Sequence, residues 1–248
     1  MHEKILDEVL TKIKPRPEDL IRLNSAVEKL IRKIECKARE LGIGVKVRVV
    51  GSAARNTWLK GEKDIDILLM FPESTPEEEM ERLGMRLARE VAGSSGREEY
   101  AEHPYVRATL DGLEVDIVPC FEVSDPSRIK SAVDRTPYHQ EYVRKRMTDK
   151  LADQVLLLKQ FAKGTGVYGA ESKVQGFSGY LCELLILHYG SFMELVRSAS
   201  EWRPGTVIDI EEFHGRADYL PRLFAGQPLI LIDPVDRKRN EAAAAVVR

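Results

Sequence analysis

The stretch from Gly51 to Phe71, GSAARNTWLKGEKDIDILLMF, constrains this chain more than any other. It joins a Gly-Ser turn to an Asp-x-Asp pair that opens an apolar run. On a strand, the period of two puts Asp64 and Asp66 on one face, about 6–7 Å apart along the backbone. The following Ile-Leu-Leu-Met-Phe reads as a buried central strand, where charged residues are almost never found without a partner. A third acid, Asp116, holds a comparable place in LEVDIVP. Three carboxylates at strand ends can share two divalent cations about 3.5–4 Å apart. A helix beginning at Gly51-Ser52 would offer backbone N–H groups and a hydroxyl to a phosphate.

Carboxylates for cations beside a cradle for phosphate point to nucleotidyl transfer, in which metals neutralise a triphosphate and activate an attacking hydroxyl. Asp64 and Asp66 are expected to ligate the ion at the triphosphate and, with Asp116, the ion at the acceptor hydroxyl. Asp116 is also the expected general base. Oxygen ligands with retained water suit Mg²⁺. Ser52 and Arg55 are expected to meet the β- and γ-phosphates, although Ser52 taken alone reads as a plain helix cap.

The flanking pattern supplies a scaffold. Apolar residues from Leu20 to Leu41 recur at helical spacing until Gly42, and VKVRVV reads as a strand entering Gly51. Thr75-Pro76 before EEEMERLGMRLAREVA predicts a helix with a Thr cap and Pro at its first position. YVRATL and LEVDIVP around Asp111-Gly112 predict a hairpin. The order implies a small mixed sheet covered by helices. After Pro119 the segment DPSRIKSAVDRTPYH reads as loop, and from about Tyr138 the chain turns helical. QVLLLKQFAKG, GFSGYLCELLILHYG and SFMELVRSAS are helix candidates, TVIDI and PLILID short strands, and NEAAAAVVR a final helix.

Composition narrows the setting. No run of 18 apolar residues predicts a membrane span, and the acidic, amphipathic N-terminus does not read as a signal peptide. The odd, scattered cysteines Cys36, Cys120 and Cys182 fit neither a disulfide framework nor a zinc site, and suit a reducing cytoplasm. A net charge of −2 supplies no global basic field, so an RNA acceptor needs a local patch or a further segment to hold it.

GSAARNTWLKGEKDIDILLMFP, with YAEHPYV, LEVDIVPC, IKSAVDRTPYH, VYGAESKVQGFSGYLCELLILHYGSF, TVIDI and DPVDRKRN, resembles the archaeal-type (class I) CCA-adding enzymes. These are tRNA nucleotidyltransferases of the polymerase β superfamily, and the resemblance covers essentially the whole chain. It implies an α+β fold: a polymerase-β-like nucleotidyltransferase head (residues 1–135), then a mainly helical neck (residues 136–248). It places catalytic carboxylates at Asp64, Asp66 and Asp116, and nucleotide contacts at Ser52, Arg55, Thr136, His139, Lys159, Tyr168 and Arg239. Two Mg²⁺ ions are implied, with CTP and ATP as substrates and a tRNA 3′ end or acceptor-stem minihelix as acceptor. A cytoplasmic, membrane-free protein is implied, with a homodimer left open. Relatives continue into body and tail domains that grip tRNA, so the chain reads as a fragment or a natural short paralogue. The implied activity is template-independent addition of CMP or AMP to tRNA. A weak nucleotide-binding or RNA-associated module, and a minimal transferase adding one or two nucleotides or using another acceptor, are the alternatives.

By spacing alone, Lys159 reads as a solvated helix charge, Tyr168 as a core aromatic and His139 as a helix cap. SGYLCELLILHYGSF reads as core packing. Arg237, Lys238 and Arg239 after DPVD suit a phosphate or base contact, whereas Arg144, Lys145 and Arg146 read as a wet helix face.

Overall fold

Apolar spacing and turn residues shape a computed structural model that describes residues 2–62, 64–100, 103–171, 173–215 and 218–245. The chain divides into two compact units: Pro15–Gln140, and Met1–Lys14 together with Glu141–Arg248. Relative to a division at residue 135/136, the N-terminal helix α1 (His2–Ile13) joins the helical unit and residues 136–140 join the sheet unit. The apolar side of α1 explains its return, since Leu6, Val9, Leu10 and Ile13 pack into the helical unit's core.

The sheet unit begins with α2 (Pro17–Glu40), which has Pro17 at its first position and the Asp19 carboxylate accepting from Arg16 N at 2.9 Å. It buries Leu23, Leu30, Ile34 and Ala38, one stripe of the predicted periodicity. Then come β1 (Lys46–Val50), the five-residue helix α3 (Gly51–Arg55), β2 (Asp64–Pro72) and α4 (Glu77–Ala92). After them lie β3 (Arg97–Tyr100), β4 (Pro104–Leu110) and β5 (Leu113–Glu122). The sheet order is β1-β2-β5-β4-β3, with β2 and β5 parallel and every other pair antiparallel. This is the mixed sheet expected. Ile65, Ile67, Leu69 and Phe71 point into the core with Val115, Ile117 and Phe121. Positive φ at Asp111 (50°) and Gly112 (78°) makes the primed turn that matches strand twist, and Leu110 pairs with Leu113 across it.

Three local expectations need correcting. Thr75 does not cap α4: its N–H closes a turn on Pro72 O, and extended Pro76 occupies the cap position without a side-chain bond. The segment read as loop up to Tyr138 already forms α5 (Ala132–Arg146) from Ala132. Buried Asp134 starts it: its carboxylate accepts from Ser131 N (3.0 Å), Lys130 N (3.3 Å) and Phe121 N (2.8 Å), while Ser131 Oγ accepts from Asp134 N (3.3 Å). That reciprocal Ser-x-x-Asp cap outweighs Pro137 one turn later. The final helix is also not formed, because residues 241–244 are turns after Asn240; residues 246–248 lie outside the described residues.

The helical unit holds α6 (Asp149–Gly164), α7 (Gly179–Tyr189) and α8 (Phe192–Ala199), then β6 (Thr206–Ile208), α9 (Leu220–Leu223) and β7 (Leu229–Leu231). β6 and β7 pair in parallel. Leu181, Cys182, Leu184, Leu185 and Ile186 of α7 are buried, the core role expected of that motif. Thr148, Ser178 and Ser191 cap the three longer helices through their side chains. Among the described residues, no helix is long and apolar enough to cross a membrane.

Candidate active site

The parallel register of β2 and β5 makes Asp66 and Asp116 direct partners, with Asp64 opposite Glu114 two residues earlier. Residues two apart share a face, so Asp64, Asp66 and Asp116 stand on one side of the sheet. Buried Ile65 between the first two points into the core. Asp64 is exposed and Asp66 half-buried, so this face is open to a ligand.

Charge accumulates there. Loss of solvent, and next the neighbouring Asp116, raise the Asp66 carboxyl; with Arg55 opposing, Asp64 adding and Arg107 opposing, it stands at about 6 against its ordinary 3.8. A divalent cation would relieve this repulsion, and three carboxylates are the hard oxygen donors such an ion takes. The residues fit the metal site implied.

Gly51 brings the start of α3 against the acids. Its φ is 74°, and a Cβ there would lie 2.0 Å from Asp66 Oδ2, so only glycine fits. Ser52 follows in α3, where its carbonyl accepts from Asn56 and Thr57 N–H, and Asn56 ends the helix in the left-handed region. Arg55, at the last position of α3, donates from Nη1 to Gln140 Oε1 at 2.6 Å. Gln140 belongs to the turn of α5 that carries Thr136 and His139, both half-buried, and positions three and four apart share a helix face. Ser52, Arg55, Thr136 and His139 therefore belong to the same unit as the three acids.

Lys159, Tyr168 and Arg239 belong to the helical unit. Lys159 is only 1% exposed, which rules out the solvated reading. A Cβ on Gly179 would lie 3.2 Å from the Tyr168 hydroxyl and 3.5 Å from Lys159 Nζ, so both groups converge on the first residue of α7. Glu183, one turn further along α7, is fully buried. Arg239 has its Nη2 3.3 Å from Glu241 Oε2. Its loop is shaped by Asp233, whose carboxylate accepts from Val235 N (2.9 Å), and by Asn240, which bonds Leu231 N (2.8 Å) and Leu229 O (2.9 Å). Arg144 and Lys145 pair with Glu141 and Arg146 with Glu211, in keeping with a wet helix face.

Sequence reasoning missed Arg107, Gln140, Glu183, Asp233 and Asn240. Arg107 was within reach: a two-residue hairpin pairing 110 with 113 also pairs 107 with 116.

Carboxylates paired across a parallel strand pair, beside a short helix opened by Gly-Ser, define the class as a nucleotidyltransferase of the polymerase β type. A nucleotidyltransferase-domain family matches residues 28–139, and a family described as tRNA nucleotidyltransferase, second domain, matches residues 153–248. Curated proteins named CCA-adding enzyme from Methanosarcina barkeri and Methanocaldococcus jannaschii are 48% and 45% identical over 98% and 97% of this chain. The chain spans 52% and 55% of their respective lengths, about half. The chain belongs to the archaeal-type CCA-adding nucleotidyltransferase family. Among solved structures, the Cid1 poly(U) polymerase is similar with a TM-score of 0.75 at 13% identity, over 98% of this chain and 87% of that one. The polymerase core of TRAMP gives 0.65 at 15% identity, over 97% and 79%. These two likenesses concern the fold alone. Divalent metal ions and nucleoside triphosphates are the general requirements of nucleotidyltransferases.

Proposed function

We propose that this chain transfers CMP or AMP from CTP or ATP to the 3′ end of tRNA, without a template and with release of pyrophosphate. The observation that carries this is the Asp66–Asp116 register with Asp64 on the same face, where the Asp66 carboxyl is pushed up to about 6 by burial and its neighbours. The named activity of the curated relatives supplies the substrate class.

Asp64, Asp66 and Asp116 would hold the divalent cations, Mg²⁺ by their all-oxygen donors. Bound there, the two ions supply charge neutralisation for the triphosphate and acidify the attacking hydroxyl. Ser52 and Arg55 bind the β- and γ-phosphates, with Arg55 oriented by Gln140. Thr136 and His139 contact the nucleotide from α5. Catalysis is assigned to the sheet-bearing part and nucleotide recognition to the helical part, where Lys159 and Tyr168 meet the triphosphate or sugar and Arg239 reads the base. Asp116 accepts the hydroxyl proton as the acceptor oxygen bonds to the α-phosphorus and the pyrophosphate oxygen leaves.

The test is incubation with Mg²⁺, labelled CTP or ATP, and tRNA lacking one, two or three of its 3′-terminal nucleotides, resolved nucleotide by nucleotide. Extension by the wild type, lost in Asp64→Ala and Asp116→Ala, is expected. Equal labelling by all three proteins would reject the assignment. Labelling of minihelices but not of whole tRNA would favour the minimal transferase.

A further inference from the structure

Arg107 has no part in the chemistry above, yet it occupies the third carboxylate. It lies on β4 as the register partner of Asp116 on β5. Its Nε donates to Asp116 Oδ1 at 2.7 Å and its Nη2 to Oδ2 at 2.6 Å, a fork closed on both oxygens. Tyr105, two residues earlier on the same face, lies under the guanidinium, with its ring centre 5.7 Å from Cζ. Asp116 thus has a carboxylate, Asp66, as partner on one flank and a guanidinium on the other. The arginine side chain is 49% exposed and that of Asp116 21%, so the fork can swing toward solvent without disturbing the core.

We propose that Arg107 is a displaceable counter-ion for Asp116: it holds both carboxylate oxygens in the metal-free protein and releases at least one when a divalent cation engages that residue. This rests on the metal role given to Asp116 above. Two like charges cannot share one carboxylate without strong repulsion, because Coulomb energy grows as separation shrinks and as water is excluded. The bidentate fork also uses the oxygen positions best placed for chelation, leaving a cation poorer geometry. Arg107 therefore weakens cation binding by the bare protein, and the negative charge of an arriving triphosphate shifts the competition toward the cation. Arg107 is a positioning residue in this scheme. It sets when Asp116 is free, and touches neither the α-phosphorus nor the acceptor oxygen.

The competition can be read without turnover. Mn²⁺ binding to the full chain, followed by loss of the free-ion electron paramagnetic resonance signal in the absence of nucleotide, is compared for four proteins: wild type, Arg107→Gln, Asp116→Asn and the double variant. Arg107→Gln is expected to bind Mn²⁺ about tenfold more tightly than wild type, a gain that misfolding cannot produce. Asp116→Asn is expected to weaken binding, and adding Arg107→Gln to it should change nothing further. Unchanged or weaker Mn²⁺ binding in Arg107→Gln, with Asp116→Asn still impaired, overturns the counter-ion role and leaves the metal role of Asp116 standing. If Asp116→Asn binds Mn²⁺ as well as wild type, Asp116 is no metal ligand and both ideas fall.

Discussion

On the open face of β2 and β5 stand three carboxylates, of which Asp116 is in register with Asp66 on one side and Arg107 on the other, and Asp66 carries the raised carboxyl. In the helical unit, Lys159 and Glu183 are both fully buried; burial pushes the neighbouring Cys182 thiol up to about 12, with Lys159 opposing the rise and Glu183 adding to it. One region gathers three acids against two arginines where a ligand can reach them. The other encloses opposite charges where water cannot. The first arrangement leaves a raised carboxyl that a divalent cation can relieve; the second buries an amine and a carboxylate within one unit. The contrast is between acids open to a ligand and charged groups enclosed within the helical unit.

The largest expected effect breaks the chemical side of that contrast. Asp64→Ala or Asp116→Ala should lower the rate of nucleotide transfer by roughly 10²–10³-fold or more, as loss of a group that stabilises developing charge does. Circular dichroism should stay native, because neither side chain lies in the core. A variant that unfolds instead would move the acids from the chemical to the structural side.

Lys159→Met tests the enclosed pair. Where the amine offsets the buried Glu183 carboxylate, its removal should cost about 3–5 kcal/mol in urea unfolding. The double variant Lys159→Met/Glu183→Leu should recover most of that loss, since an apolar pair of similar volume replaces the ions. A single-variant cost below about 1 kcal/mol would show that Lys159 does not balance Glu183. Gly51→Ala comes next. It forces an L residue to φ 74° and drives a methyl group into Asp66 Oδ2. The strain should cost about 1–2 kcal/mol, and displacement of Asp66 should slow transfer by about 10²-fold. Transfer at the wild-type rate would show that the closeness of Gly51 to Asp66 is incidental.

The strands of the sheet were legible because each signal was local and strong. Alternation around Asp64 and Asp66 gave β2, and Asp111-Gly112 fixed the hairpin. That turn also fixed the Arg107–Asp116 pairing, a deduction that needed only counting back from the turn. β3 was not legible: Arg97–Tyr100 is exposed throughout, so its edge position is set by pairing with β4 and leaves no alternation. The start of α5 was written in Ser131-Ala-Val-Asp134 but masked by Pro137 and a polar run. Burial of Lys159 could not be read from helical spacing, because its environment is made by Gly179 and Tyr168, residues brought close only by the fold. In the same way, the acids could be named from sequence, but the rise at Asp66 depends on the parallel register with Asp116.

The smallest expected effect sharpens the comparison through pH. The folded-state value of Asp66, about 6, lies above its ordinary 3.8, so between those values the folded chain binds more protons than the unfolded one. Stability of the metal-free protein should then fall as pH rises from about 4 to about 6 and level off above, since the slope follows the proton difference between the two states. The loss is on the order of 2 kcal/mol, from a two-unit displacement at about 1.4 kcal/mol each, reduced because Asp66 keeps some solvent. Calorimetric melting in a chelator at several pH values gives the slope. Asp66→Asn should flatten it and raise the melting temperature at pH 8, while Mg²⁺ should restore wild-type stability there and leave the variant unchanged. If Asp66→Asn melts lower than wild type at pH 8 in chelator, the face is not short of positive charge, and the distinction between the two regions fails.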